Sequence, residues 1–277
     1  MIPLAKIAKR GSEKSVAQAM ALALPRAMTK LAAHLVKKPW GRTELPAMFG
    51  ETRGQKIGEL WFDGPANAAL LVKYLFTGER LSVQVHPNDE QALERGLPRG
   101  KSECWYVVEA EPGACIGLGL KREVTADELR VAALDGSIAE LLDWRRISAG
   151  DFLVVPAGTI HAIGGGITLV EIQQNSDVTY RLYDYGRPRE LHLDDALAVA
   201  NRGPYRETLV RKVDPDLDGL LVEGPPFRLV HSHADAMQDR LRWVIPLDGE
   251  AAGECLLVEP GNRLEIADAR MLIAASA

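Results

Sequence analysis

The sequence lacks the features that mark membrane-spanning, nucleic-acid-binding and disulfide-stabilised proteins. No apolar run approaches the roughly 18–20 residues that a membrane-spanning helix needs. Acidic and basic residues nearly balance, with 38 Asp and Glu against 33 Lys and Arg, so the net charge of -5 gives no reason to expect a nucleic-acid partner. Only three cysteines occur, an odd number without close spacing, which favours free thiols in a reducing, cytoplasmic compartment.

The first 36 residues differ from the rest of the 277-residue chain. Basic residues stand there among Ala, Leu, Met and Ile, at a spacing that permits one or two amphipathic helices, and Pro25 breaks or restarts them. This basic, acid-poor segment resembles an organelle-targeting peptide. We favour the alternative, a basic helical extension over residues 1–36 that packs on the main body.

From Lys37 onward the sequence has the texture of an antiparallel β-protein. Short strand-like runs are separated by Gly- and Pro-rich turns, which indicates a sandwich or a barrel. Residues 125–144 interrupt this texture with a predicted helical hairpin, in which Thr125 and Glu128 have capping-box spacing. The predicted strands are 57–62, 69–76, 81–86, 104–108, 115–118, 152–155, 167–173 and 178–183, then 227–231, 241–245, 254–258 and 263–266, with a short helix at 191–201.

One predicted strand, LSVQVH at 81–86, has a polar face. Leu81, Val83 and Val85 alternate with a hydroxyl, an amide and an imidazole, those of Ser82, Gln84 and His86. Pro87 cannot continue a central ladder, so the strand ends there. Such a polar row faces either bulk water or a pocket.

Four residues could form a metal site together: Gln84, His86, Glu103 on the next strand, and His161 just past the Pro-Gly turn of GDFLVVPAGTIH. Two imidazoles, a carboxylate and an amide oxygen suit Zn²⁺ or another divalent first-row ion. With four protein ligands, coordination positions stay open for water or substrate, as catalysis requires.

The spacing of these residues resembles the signatures of the cupin barrels. Gly150-x5-Pro156-x-Gly158-x2-His161 reproduces the second cupin signature. Gln84-x-His86 followed by Glu103 resembles the first, with glutamine in place of the usual leading histidine and a longer gap to the glutamate.

That glutamine variant narrows the resemblance to one family. The runs LVKYLFTGERLSVQVHPND, GKSECWYV, VPAGTIHAI and EIQQNSDVTYRLYDYGR, with KPWG and GELW, closely resemble the type I mannose-6-phosphate isomerases, particularly the short bacterial form. The resemblance covers about Lys37 to Asn201. It implies a zinc-dependent isomerase that interconverts mannose 6-phosphate and fructose 6-phosphate. It also implies one Zn²⁺, held by Gln84, His86, Glu103 and His161.

The resemblance also implies a fold and a division of the chain. We expect a mainly β protein with a cupin (jelly-roll) barrel at 37–204, which carries the helical insertion at about 125–144. Residues 205–277 would form a smaller, degenerate C-terminal β-unit. We expect a small-molecule sugar phosphate as the substrate, no nucleic acid or membrane as a partner, and a monomer or homodimer.

Isomerisation through an enediol needs stabilised oxygen charge, a base and an anchor for the phosphate. Glu171 and Lys101 are the candidate bases, because burial would raise the pKa of Glu171 and a nearby dication would disfavour the charged form of Lys101. Which of them moves the proton, or whether a metal-bound water does, stays open. Arg181 could pair with phosphate or with enediolate oxygen. The remaining candidates for substrate binding are Ser82, Lys73, Arg187 and Trp40; Trp40 would wall the pocket or serve in packing.

Other readings share the same barrel. A non-catalytic cupin could bind a metal and sense a sugar phosphate, and other cupins could act on another sugar phosphate or serve as an oxygenase. Gln84 argues against an iron oxygenase, which favours histidines and one carboxylate. The presence of Lys101, Glu171 and Arg181 favours catalysis over sensing.

Overall fold

Strands dominate the part of the chain that the computed structural model describes, residues 28–266 and 269–277. They form sheets of seven, five and six strands, which confirms the predicted mainly β fold. The strands are β1 (Met28–Lys30), β2 (Ala32–Arg42), β3 (Ile57–Asp63), β4 (Leu70–Thr77), β5 (Val83–Val85), β6 (Glu103–Ala110), β7 (Cys115–Leu120), β8 (Leu142–Arg146), β9 (Asp151–Val155), β10 (His161–Ile163), β11 (Ile167–Gln174), β12 (Tyr180–Tyr183), β13 (Val210–Lys212), β14 (Gly219–Val222), β15 (Phe227–Ser232), β16 (Arg242–Pro246), β17 (Leu256–Val258) and β18 (Met271–Ser276). The helices are α1 (Asp89–Leu93), α2 (Ala126–Asp135), α3 (Ile138–Leu141) and α4 (Leu193–Val199), with short 3-10 helices at Ala47–Phe49 and Glu207–Leu209.

The seven-stranded and five-stranded sheets face each other and form the barrel. Their strand orders are β13-β9-β6-β11-β4-β3-β2 and β12-β5-β10-β7-β8. The chain alternates between them: β4, β6, β9 and β11 lie in the larger sheet, and β5, β7, β10 and β12 lie in the smaller one. Between the sheets, Leu75, Trp105 and Leu169 of the larger sheet pack with Ile116 and Leu118 of the smaller one. This shared core is the interior of the barrel.

Alternation along the larger sheet decides which side chains enter the barrel. On β4, Tyr74 and Phe76 belong to an outer core, whereas Leu75 belongs to the barrel core. Successive side chains of a strand point to opposite faces, so Lys73 shares the face of Leu75. Applied to β6 and β11, the same rule directs a row of polar residues into the barrel: Lys73, Glu103, Glu171 and Gln173.

The six-stranded sheet, with the order β1-β17-β16-β18-β15-β14, covers the outer face of the larger barrel sheet. Tyr74 and Phe76 of the barrel pack there with Leu229, Trp243 and Leu272. Burial of these large apolar side chains is the main force that joins the two layers. The C-terminal β-unit therefore supports the outside of the wall whose inner face carries the polar row.

The N-terminal prediction is wrong where it can be compared with the structure. Residues Met28–Lys30 form a strand that pairs with β17, and Ala32–Arg42 form a strand that pairs with β3. Pairing with open edges of two sheets overrides the local helical spacing in residues 28–36. Residues 1–27 lie outside the described part of the chain. The boundary predicted at 37 falls within β2, and β13 from the predicted tail unit joins the barrel through β9; the division into three segments stays a prediction.

Helices cover the outer face of the five-stranded sheet. Val83 and Val85 pack there with Leu129, Ala133 and Leu197. The predicted hairpin forms as α2 and α3, but its last residues, 142–144, belong to strand β8 instead of a helix, because they pair with β7. In the C-terminal unit the predicted strand at 263–266 is absent from the described structure, and Met271–Ser276 was missed. No helix in residues 28–266 and 269–277 is both long and apolar enough to cross a membrane.

Candidate functional site

Three buried side chains converge inside the barrel. His86, Glu103 and His161 each bring one possible ligand atom to within 4.8 Å of the others. His161 Nε2 lies 3.3 Å and His86 Nε2 lies 3.7 Å from Glu103 Oε1. His161 Nδ1 is 2.9 Å from the carbonyl oxygen of Thr159. Donation to that carbonyl leaves the Nε2 lone pair of His161 free for a metal.

Gln84 completes the set on the neighbouring strand. It lies opposite His161 in the pairing of β5 with β10, and its Nε2 is 3.2 Å from His161 Nε2. Ser82 Oγ donates to Gln84 Oε1 at 3.2 Å. A half-turn of the amide would direct Oε1 at the cluster and let Nε2 donate to Ser82. The four residues predicted from the motifs are therefore neighbours in the structure. That they bind a metal ion stays a prediction.

The chemical state of the cluster fits a divalent cation. Glu103 Oε1 and His86 Nδ1 are buried without a hydrogen-bond partner, whereas Glu103 Oε2 is ion-paired with Lys101. Burial lowers the pKa of His86 to about 3, with help from the charge of Lys101, and burial lowers the pKa of His161. Burial alone would raise the pKa of Glu103, but the Lys101 ammonium and His86 hold it well below its usual range. Two neutral imidazoles and an anionic carboxylate can bind Zn²⁺ or a similar ion without first losing protons.

Lys101 lies directly beside the cluster. Its Nζ is 2.9 Å from Glu103 Oε2 and 3.3 Å from His86 Nε2. Burial would lower the pKa of Lys101, but the carboxylates of Glu103 and Glu171 outweigh burial and raise it above its usual value. With these neighbours Lys101 is a buried ammonium. The predicted effect of a dication on this lysine stays a prediction.

Glu171 occupies the centre of the larger sheet, between Lys73 on β4 and Trp105 on β6. Lys73 Nζ lies 3.3 Å from Glu171 Oε1, and Trp105 Nε1 donates to Oε2 at 3.1 Å. Lys73 also donates to Gln173 Oε1 at 2.8 Å and lies 4.3 Å from the ring centroid of Trp61. Burial raises the pKa of Glu171, which confirms the direction expected from its apolar neighbours.

Arg181 contributes a cation from the edge strand β12, where it pairs in register with Gln84. Its Nη1 donates to the Glu190 carbonyl at 2.7 Å, whereas its Nε is buried without a hydrogen-bond partner. Burial, followed by repulsion from Arg189, lowers the pKa of Arg181. A partly buried guanidinium with an unused donor is suited to bind an oxyanion.

One narrow cavity is lined by seven of the eleven predicted site residues. His86, Glu103 and His161 are not among its lining residues, and neither is Arg187, whose guanidinium pairs with Asp184 at 2.9 Å and donates to the Arg80 carbonyl at 2.7 Å. The predicted residues in the lining are Trp40, Lys73, Ser82, Gln84, Lys101, Glu171 and Arg181.

The cavity also contains polar residues that sequence reasoning missed: Lys38, Glu59, Asp177, Thr179 and Arg189. Glu59 lies in the GELW run that carries part of the family resemblance, which could have drawn attention to it. Arg189 lies in an ordinary turn sequence, RPRE, which gave no such signal.

Comparison with known proteins relates the chain to one family. Mannose-6-phosphate isomerase ManA of Bacillus subtilis (strain 168) is 47% identical over 159 residues, which make up 55% of this chain and 47% of the relative. The chain thus spans about half the length of the curated relatives it matches. No protein-family model matches the chain.

Solved structures extend the similarity beyond the aligned half. The crystal structure of mannose 6-phosphate isomerase from Bacillus subtilis has a TM-score of 0.76 and 26% identity, and the match covers 91% of this chain and 100% of that one. A zinc-bound mannose 6-phosphate isomerase has a TM-score of 0.70 with the same coverage, and its 14% identity relates the two folds alone. The predicted cupin fold is confirmed. The chain is thus similar to the mannose-6-phosphate isomerases, in sequence over the aligned half and in fold over 91% of its length.

Proposed function

We propose that the chain is a zinc-dependent aldose–ketose isomerase that interconverts mannose 6-phosphate and fructose 6-phosphate through an enediol. The observation that carries the proposal is the cluster of His86, Glu103 and His161 beside two buried ionisable groups, Glu171 and Lys101. Metal-ligand chemistry and proton-transfer chemistry thus meet in one barrel. The names of the curated relatives support this reaction.

The proposed cofactor is one Zn²⁺, held by His86, Glu103 and His161 with the amide oxygen of Gln84. Glu103 Oε1, which is buried without a hydrogen-bond partner, and the neutral imidazoles support this assignment. When bound, the ion would stabilise negative charge on the sugar oxygens. Other divalent first-row ions suit the same donors.

We assign the proton transfer between C2 and C1 to Glu171. Burial raises the pKa of its carboxyl group, and a base works best when its pKa approaches the working pH. Lys73 and the Trp105 indole hold the two carboxylate oxygens in place. Lys101, as an ammonium, would donate to a sugar oxygen that gains charge.

Substrate contacts are proposed for the lining residues of the cavity. Ser82 lies beside Gln84, Arg181 brings a buried unused donor, and Trp40 is an apolar wall of the cavity. Lys73 adds a cation on the opposite wall. The phosphate role predicted for Arg187 stays a prediction.

A coupled assay tests the function directly. We expect the zinc-loaded protein to convert mannose 6-phosphate, and to convert unphosphorylated mannose and other aldose phosphates far more slowly. Dialysis against a chelator should abolish this activity, and added zinc should restore it. Full activity in protein shown to be metal-free would disprove the metal assignment. Tight binding of mannose 6-phosphate without turnover would instead favour a sugar-phosphate sensor, and faster turnover of another aldose phosphate would change the substrate.

We also propose a cytoplasmic location and a monomeric or homodimeric state. The location is supported by the three free thiols, of which Cys104 and Cys255 are buried. Mass measurement in solution would decide between the two states.

A further inference from the structure

A turn after β12 holds two arginines on one buried carboxylate. Asp184 has 2% exposure. Arg189 donates to it through two nitrogens, Nε to Oδ2 at 2.5 Å and Nη2 to Oδ1 at 2.7 Å, and Arg187 Nε donates to Oδ1 at 3.0 Å. A two-nitrogen contact fixes the plane and direction of a guanidinium. The Arg189 head group is therefore held in a defined orientation.

Arg187 and Arg189 line different cavities. Arg189 lines the same cavity as Arg181, Lys101 and Glu171. Arg187 faces a separate surface recess with Glu79 and Arg80, and its Cζ lies 5.7 Å from the ring centroid of Tyr185. Of the two, Arg189 is the one that a ligand in the cavity would meet.

The charges around Arg189 leave room for an anion. Asp184 is shared between Arg187 and Arg189, so this trio carries a net positive charge. Arg181 lines the same cavity and adds a further cation, whose Nε is buried without a partner. The carboxylate of Asp177 also lines the cavity and offsets part of this charge. A dianion bound between the guanidiniums of Arg181 and Arg189 would reduce the repulsion between them and accept a hydrogen bond from Arg181 Nε.

We infer that Arg189, rather than Arg187, determines the preference of this site for a phosphorylated sugar by pairing with the phosphate group of the ligand. The inference rests on the proposed function, since it names the group that recognises the phosphate of that substrate.

Binding of mannitol 6-phosphate tests the inference without turnover, because this alditol has no carbonyl group to isomerise. Calorimetric titration of the zinc-loaded protein should show that Arg189→Ala weakens the binding by about 10- to 100-fold, the loss expected for a charge-assisted contact. Binding of inorganic phosphate should weaken in parallel. Arg187→Ala, which also removes one partner of Asp184, should cost less than Arg189→Ala. Arg228→Ala, on the C-terminal sheet, controls for the overall change in charge.

Two results would overturn the inference. One is an affinity within about threefold of the parent in Arg189→Ala that still holds zinc; the other is a larger loss in Arg187→Ala than in Arg189→Ala. If Arg189→Ala does not fold, Arg189→Gln, which can keep a hydrogen bond to Asp184, decides by the same criteria. Arg189-dependent binding in a protein that does not isomerise mannose 6-phosphate would support the inference and contradict the proposed reaction.

Discussion

Replacement of Lys73 by methionine should shift the acid side of the pH–rate profile to higher pH. Glu171 must be deprotonated to act as a base, so activity falls as the pH drops through its pKa. Burial already raises that pKa, and the nearby ammonium of Lys73 opposes the rise. Lys73→Met removes this opposing charge and keeps a side chain of similar length. The carboxyl group of Glu171 would then hold its proton to a higher pH.

The geometry sets the size of the shift. Lys73 Nζ lies 3.3 Å from Glu171 Oε1, and both side chains are buried. An opposite charge at this range changes a pKa by about 1–3 units. Lys101 also lowers the pKa of Glu171, and it remains in the variant. We therefore expect the low end, a displacement of about one pH unit, equal to about a tenfold lower kcat/KM at a fixed acidic pH.

The assay is kcat/KM for mannose 6-phosphate as a function of pH, with zinc content measured for each variant. Lys73→Arg keeps the charge and should leave the acid limb in place. Lys38→Met removes another cation of the cavity lining, which pairs with Glu59 at 3.2 Å and not with Glu171. This variant should leave the acid limb of the pH–rate profile in place, whatever its effect on the rate. An unmoved limb in Lys73→Met would refute Glu171 as the base and favour Lys101, whose pKa depends on other neighbours.

Two further predictions concern the metal cluster and the C-terminal sheet. Glu103→Gln should weaken zinc binding by at least about 10- to 100-fold in a chelator competition. Glu109→Gln changes an exposed residue of the same strand and should leave zinc binding unchanged. Equal zinc affinity in the two variants would remove Glu103 from the ligand set. Asp235→Asn should lower the free energy of unfolding by about 3–5 kcal/mol, because fully buried Arg242 loses its ionic partner. Thermal unfolding measures this loss, and the exposed Asp239→Asn should cost no more than about 0.5 kcal/mol; similar losses would contradict the buried-pair reasoning.

Short apolar runs bounded by turn signals were enough to predict the strands around the site. Strands β4, β6 and β11 formed within two residues of the expected bounds. The sequence was less informative where strand pairing is distant. Met28–Lys30 is a strand because it pairs with β17, more than 200 residues away. Met271–Ser276 is rich in alanine and lacks a polar alternation, yet it lies between β15 and β16 in the centre of its sheet.

The candidate metal residues could be predicted because their motifs combine residue type with spacing. The proposed phosphate-binding end of the cavity could not be predicted in the same way. Arg187 and Arg189 are two positions apart, and their directions depend on a turn in which Tyr185 and Gly186 have φ of 54° and 78°. A tyrosine with a left-handed backbone conformation is unusual, and the amino-acid sequence around it does not predict it. Which arginine faces the cavity was therefore decided by backbone conformation and by the shared contact with Asp184.

A three-residue strand of the barrel, β5, carries a strict requirement on register. Leu81 lies before this strand and packs in the barrel core, whereas the sequence alternation placed it on one face with Val83 and Val85. Within β5, Gln84 lies opposite His161 on one side and Arg181 on the other. A slip of one residue would turn a valine inward and Gln84 toward the helices. The candidate metal cluster and the arginine end of the cavity therefore depend on one pairing, so Gln84 couples the two ends through its backbone position as well as its side chain.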